Sequence, residues 1–225
     1  MRRLVIHATW LAALFLAAGF STANFAEDRQ ATAEIAEAPA RPTANTAKAA
    51  EFQDAMRKLW EDHIVFTRCY IISVAHALPD KDATAKRLLQ NQTDIGNAIK
   101  PFYGDEAGAE LERLLKEHIT IAVELLDAAK AGNKSAVDTA NRKWGANGDA
   151  IAIFLNKANP KSWPLEAMKA EMKMHLEVTL REANNRIGGK YADDINDYEH
   201  VHEHILKLAD TLSSGIIAQF PDKFQ

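Results

Sequence analysis

Apolar residues recur every three to four positions along nearly the whole stretch from Lys48 to Phe220, and no segment alternates with period two. A 3.6-residue period paints one apolar stripe on an α-helix, whereas a half-buried strand needs period two. The expectation is therefore an all-α chain without a sheet. Helix-breaking residues cut the periodic stretch into six segments. The first runs from about Lys48 to Ala77, with Phe52, Met56, Leu59, His63, Phe66, Tyr70 and Val74 on one face. The second runs from about Asp82 to Lys100 and is stopped by Pro101 and Gly104. The third extends from Asp105, a candidate N-cap, to Ala131, before Gly132-Asn133. A Ser135–Asp138 capping box opens the fourth, which Asn159-Pro160 closes. The fifth begins near Pro164 and ends at Gly188-Gly189, and the sixth spans Ala192 to Phe220 before Pro221. Short links between amphipathic helices make neighbours antiparallel, so residues 47–225 are expected to form an antiparallel six-helix bundle.

Composition agrees. Ala, Leu, Lys and Glu are common while only 10 Gly and 7 Pro occur in 225 residues, a balance that favours helix over sheet. The net charge of −4 provides no basic footprint for nucleic acid. Arg2 and Arg3 followed by the apolar run Ala8–Phe20 and the small residues Ser21 and Ala23 have the layout of a secretory signal peptide over residues 1–23. The apolar run is short for a membrane span. Residues 24–46, rich in Ala, Thr and Pro with no apolar period, read as a disordered linker. An exported chain follows, periplasmic or extracellular, with no membrane attachment after cleavage. Cys69 is the single cysteine, so no intramolecular disulfide exists and the core must supply the stability. Its apolar surroundings suggest a small core hydrophobe. Without CxxC or CxxCH, zinc-ribbon, thioredoxin-like and c-type haem readings lack their defining residues. No P-loop, GxGxxG or Ser–His–Asp order appears, so neither a nucleotide cofactor nor a hydrolytic triad is supported.

The two halves echo one another. RKLW at 57–60 recurs as RKW at 142–144, and KEHI at 116–119 as HEHI at 202–205. The tryptophans are offset by 84, the histidines by 86, and Gly104 stands 84 before Gly188. Two three-helix units at about 48–131 and 135–220 are inferred. The offset pairs His63 with Asn147, Asn91 with His175, and His118 with His204. Each lies near the middle of its helix, and mid-helix positions of an antiparallel bundle share one layer.

That layer is the candidate site. Imidazoles from separate helices are the common ligands of first-row transition metals, so His63, His118, His175 and His204 are the expected ligands of one ion, Cu, Zn or Fe. Asn91, Asp94, Glu117, Asn147, Glu199, His202 and Glu203 are alternates or outer partners that orient an imidazole. A single histidine on an apolar face is more often a hydrogen-bonded core residue; four at one level bring the two readings into balance. The stretch DYEHVHEHIL at 197–206 holds three histidines, but a helix turns about 100° per residue, so His200, His202 and His204 do not face one point. Glu199-x-x-His202 resembles half of a di-iron motif, but the second copy is missing. The repeat singles out His204. Trp60, Trp144, Trp163 and the methionines Met168, Met172 and Met174 read as packing. The expected function is binding of a transition metal or small molecule, in metal handling or small redox chemistry. A non-enzymatic envelope module with a buried polar network is the alternative.

The blocks LWEDHIVFTRCYI, LLQNQTDIGNAIKPFYG, LLKEHI and EHILKLADTLSSGIIAQFPDKF resemble a family of small exported bacterial helical-bundle proteins, from about Leu59 to Phe224. The resemblance implies export and an all-α fold. Some members of that family carry a glycosyltransferase label, which implies a sugar-acting enzyme. Nucleotide-sugar transferases are normally built on an α/β domain, and no strand–helix alternation occurs in this chain.

Overall fold

The structure, a computed structural model, describes residues 46–225; the expected signal peptide and all but the last residue of the linker lie outside them. Among the described residues five helices pack together: α1 Ala47–His76, α2 Lys81–Lys130, α3 Lys134–Ala158, α4 Leu165–Ile187 and α5 Tyr191–Gln219, followed by a 3-10 turn at Pro221–Phe224. Among the described residues there is no strand. Each helix packs on the next, and α1 closes the ring on α5. The ion pairs Arg57–Asp210 (2.6 Å) and Arg68–Asp194 (2.7 Å) step in opposite directions along α1 and α5, so these neighbours are antiparallel.

The second and third expected helices are two arms of α2. Gly104 adopts φ 86°, ψ 169°, a conformation a side chain disfavours, and the chain folds back there. The arms meet at Thr93–Glu112 (2.9 Å) and Lys81–Asp127 (3.3 Å). Gly96 and Gly108 make this approach feasible: a Cβ on either would sit 2.7 Å from the other's carbonyl oxygen.

Two local expectations are corrected. Asn133, not Ser135, caps α3, its Oδ1 accepting from the Ala136 N–H at 3.1 Å. The preceding Gly132 supplies the positive φ of 68° that turns the chain before the cap. Cys69 is exposed rather than core. It stands one turn from Val65, which is 37% exposed, because the apolar run of α1 is wider than the stripe its neighbours cover.

The core runs the length of the bundle through Met56, Ile64, Ile95, Leu115, Ile151, Ile205 and Ile216. One end is closed by aromatic contacts among Phe52, Phe102, Phe220 and Phe224. There Trp163 lies flush against Gly215, where a Cβ would fall 2.4 Å from the indole nitrogen. Trp60 and Trp144 are buried, as are Met168 and Met172.

Candidate functional site

A helix plus its turn takes almost the same number of residues each time. His63, Asn91, His118, Asn147, His175 and His204 are separated by 28, 27, 29, 28 and 29 positions. In an antiparallel ring, equal steps return the chain to the same height, and these six residues meet at mid-bundle. His63, Asn91, His118, Asn147 and His175 are each 5% exposed or less, and the side chain of His204 is 12% exposed. The ring centres of His63 and His175 lie 5.8 Å apart, those of His118 and His175 5.9 Å, and those of His175 and His204 5.9 Å. His175 is therefore the hub.

The partners follow a rule of their own. His63 Nδ1 meets Gln92 Nε2 at 3.2 Å, and His118 Nδ1 meets Asn147 Oδ1 at 2.9 Å; both pairs are 29 residues apart. His175 and His204 are also 29 apart. A second contact accompanies each pair. Asn91 Nδ2 donates to Leu59 O (2.9 Å) and Asn147 Nδ2 to Leu114 O (3.1 Å), each carbonyl four residues before its histidine. In the third pair His204 faces Glu171, four before His175, through the Glu171 backbone and with its Nδ1 3.5 Å from Oε2. Three helical hairpins thus repeat one device.

These bonds assign the tautomers. Asn147 donates its amide to Leu114 O, so Oδ1 accepts from His118 Nδ1–H, and His118 Nε2 keeps a lone pair. Gln92 Nε2 also donates to Leu88 O (2.8 Å), so it is the donor towards His63 Nδ1 and the His63 proton sits on Nε2. In the third hairpin no such bond forms. His175 Nδ1 and His204 Nε2 are both buried and both lack a partner.

All four rings are held neutral at pH 7. Burial lowers His63 to about 3, with His118 nearby lowering it further and Gln92 opposing. Burial likewise lowers His118 to about 4 against the Asn147 bond, and His204 to about 4 against the Glu171 backbone. His175 is driven well below its ordinary 6.5 by burial and by the three other histidines. Neutral imidazoles retain the lone pairs a metal needs. Cavities of about 40 and 30 Å³ flank the layer, and His63, His118 and His175 line both.

The remaining candidates lie away from the layer. Glu117 is exposed and pairs with Arg113 at 3.1 Å. Asp94 bonds Gln90 at 3.1 Å, and His202 bonds Glu61 at 3.0 Å. Glu199, His200 and Glu203 are exposed. Among the described residues, no three His, Cys, Asp or Glu side chains are arranged to hold one metal ion.

Two features escape a reading of apolar stripes. Gln92 is one, and the 29-residue spacing would have found it. The other is a buried ionic cluster: Arg68 binds Glu182 (2.6 Å) and Asp194 (2.7 Å), and Arg186 also reaches Asp194 (3.2 Å). Burial pushes Glu182 up to about 7 despite Arg68. Burial also pushes Asp194 upward, but its two arginines outweigh that and hold it below the usual carboxylate range.

Fold and layer together define an all-α bundle with a histidine-rich polar interior. Comparison with protein-family models, with curated proteins and with solved structures finds no match.

Proposed function

We propose that this chain is an exported protein, periplasmic or extracellular, whose mid-bundle histidines His63, His118, His175 and His204 bind a transition-metal ion in metal handling or small redox chemistry. One observation carries this reading: neutral imidazoles from four helices are in continuous contact inside a bundle, and two of their nitrogens have no partner. Leaving a buried polar atom unpaired costs about 1–3 kcal/mol, and a ligand that uses it recovers that cost. Elemental analysis of protein from its native compartment tests the reading. About one equivalent of Cu, Zn or Fe is expected; less than about a tenth, with no uptake on titration, would sink it.

A second reading rests on Asn91 with Leu59 and Asn147 with Leu114, which tie neighbouring helices by side chain to backbone. The layer would then be a register-fixing network in a non-enzymatic envelope module. A His63→Ala, His118→Ala variant that loses stability, from a parent that holds no metal, favours it. The six helical runs, counting both arms of α2, are read as two related three-helix units at an offset of 84. Three equal helix-plus-turn steps are the simplest source of that offset. A sugar-acting role has only the family resemblance behind it.

A further inference from the structure

The three hairpins differ in one respect. In the first two, an amide fills the Nδ1 position of the hub-facing histidine: Gln92 for His63, Asn147 for His118. In the third, the residue at the same spacing is His204, and nothing joins its Nε2 to His175 Nδ1. The open place in the repeated device thus holds two buried imidazole nitrogens without a hydrogen-bond partner, on rings whose centres stand 5.9 Å apart with their planes 18° apart.

We infer that this place is a two-coordinate site for a soft, monovalent cation, Cu(I), held between His175 Nδ1 and His204 Nε2. The inference rests on the metal-binding reading above and names its ion and its ligand pair. Three observations support it. Two imidazoles that meet one metal head-on through bonds of about 2.0 Å, with each ring centre about 1.1 Å behind its nitrogen, stand about 6 Å apart between centres; His175 keeps 5.8–5.9 Å to His63, His118 and His204, and of these neighbours His204 is the one with a buried nitrogen lacking a partner. Both ligands are neutral, and the carboxylate paired with His204, that of Glu171, lies on its other nitrogen. A buried ion without a counter-charge is penalised by roughly the square of its charge, so a monovalent ion costs about a quarter of a divalent one. Finally, among the described residues no three His, Cys, Asp or Glu ligands converge on one point, which disfavours zinc with its four, whereas Cu(I) is satisfied by two nitrogen donors. Binding forms two N–Cu bonds from lone pairs, and each ring keeps the proton on its other nitrogen, so no proton or electron is transferred.

The test is anaerobic titration of the full chain with Cu(I) against a chromophoric Cu(I) chelator, beside Zn(II) and Co(II), followed by X-ray absorption of the loaded protein. One equivalent of Cu(I) is expected, at least about 100-fold tighter than either divalent ion, with two nitrogen neighbours at about 1.9 Å. His175→Gln and His204→Gln should lose the site, while His200→Gln, at an exposed imidazole outside the layer, retains it, with helicity followed by circular dichroism. Zn(II) or Co(II) binding as tightly as Cu(I), or three or more ligands in the absorption spectrum, overturns the inference but leaves the broader metal reading standing. No uptake of any of the three ions overturns both. The absorption measurement uses the parent alone, so it decides the ligand number even if a variant fails to fold.

Discussion

Acid should unfold the metal-free protein, by an amount that follows from the buried histidines. An unfolded imidazole takes up a proton near pH 6.5, whereas His63 resists until about 3 and His118 and His204 until about 4. The folded values are depressed, so the unfolded chain binds more protons between these limits. Stability is therefore complete above about pH 6.5 and falls as the pH drops towards 4. At pH 5 each ring costs about 2 kcal/mol and the three together about 6. His175 moves in the same direction. Glu182 opposes them: its folded value is raised to about 7 from 4.5, so it destabilises as the pH rises. Going from pH 7 to 5 it returns about 2 kcal/mol.

The net loss is about 4 kcal/mol, a large part of the roughly 5–15 kcal/mol a domain possesses. Urea unfolding followed by circular dichroism, with chelator present, should show a midpoint about 1–2 M lower at pH 5 than at pH 7. His118→Gln should remove about 2 kcal/mol of the histidine contribution to that difference, since glutamine does not titrate. Midpoints at the two pH values that agree within about 0.3 M would refute the claim that burial keeps these rings neutral.

Other perturbations probe the frame. Gly96→Ala drives a Cβ against the Gly108 carbonyl at 2.7 Å and should cost about 1–3 kcal/mol in thermal or urea unfolding by forcing the arms of α2 apart. Gly215→Ala meets the Trp163 indole and should cost a similar amount, with a shift in tryptophan fluorescence. Arg68→Met strands Glu182 in the interior and leaves Asp194 with Arg186 alone, and should cost about 3–5 kcal/mol; adding Glu182→Leu should restore part of it.

Much of the frame was legible because it depends on local chemistry. The stripe from Phe52 to Val74 and the breakers Gly132 and Pro160 mark helices whatever surrounds them. The height of the layer was legible too, because equal segment lengths carry His63, His118, His175 and His204 to one level. What depends on three dimensions was not. Pro101 and Gly104 look like the end of a helix, and only the packing of Gly96 on Gly108 turns that end into a tight fold-back. Arg68, Glu182 and Asp194 look like surface charges on their own helices; they are buried because α1, α4 and α5 bring them together and balance their charge. Cys69 erred the other way, since an apolar neighbourhood in sequence does not say which neighbours will be covered.

His204 is where both kinds of information meet, and replacing it separates stability from function. In His204→Asn the third hairpin acquires the residue type that Asn147 supplies in the second. The new amide can donate to the Glu171 carbonyl, as Asn147 does to Leu114 O, and its oxygen can accept from His175 once that ring moves its proton to Nδ1, as Asn147 Oδ1 does from His118. Two unpaired buried nitrogens disappear, which should stabilise the metal-free protein by about 1–3 kcal/mol and also remove one titrating ring. The same change deletes one of two ligands, so Cu(I) uptake should vanish. Most core substitutions destabilise, by about 1 kcal/mol on average, so a gain in stability is an uncommon outcome to predict. A loss at pH 7, where the histidine charge contributes little, would mean that His204 is held by packing and that the three hairpins are not equivalent. A gain with Cu(I) binding intact would place the ion elsewhere in the layer. A gain with binding lost would explain why this one position carries an imidazole that a merely structural bundle would replace with an amide.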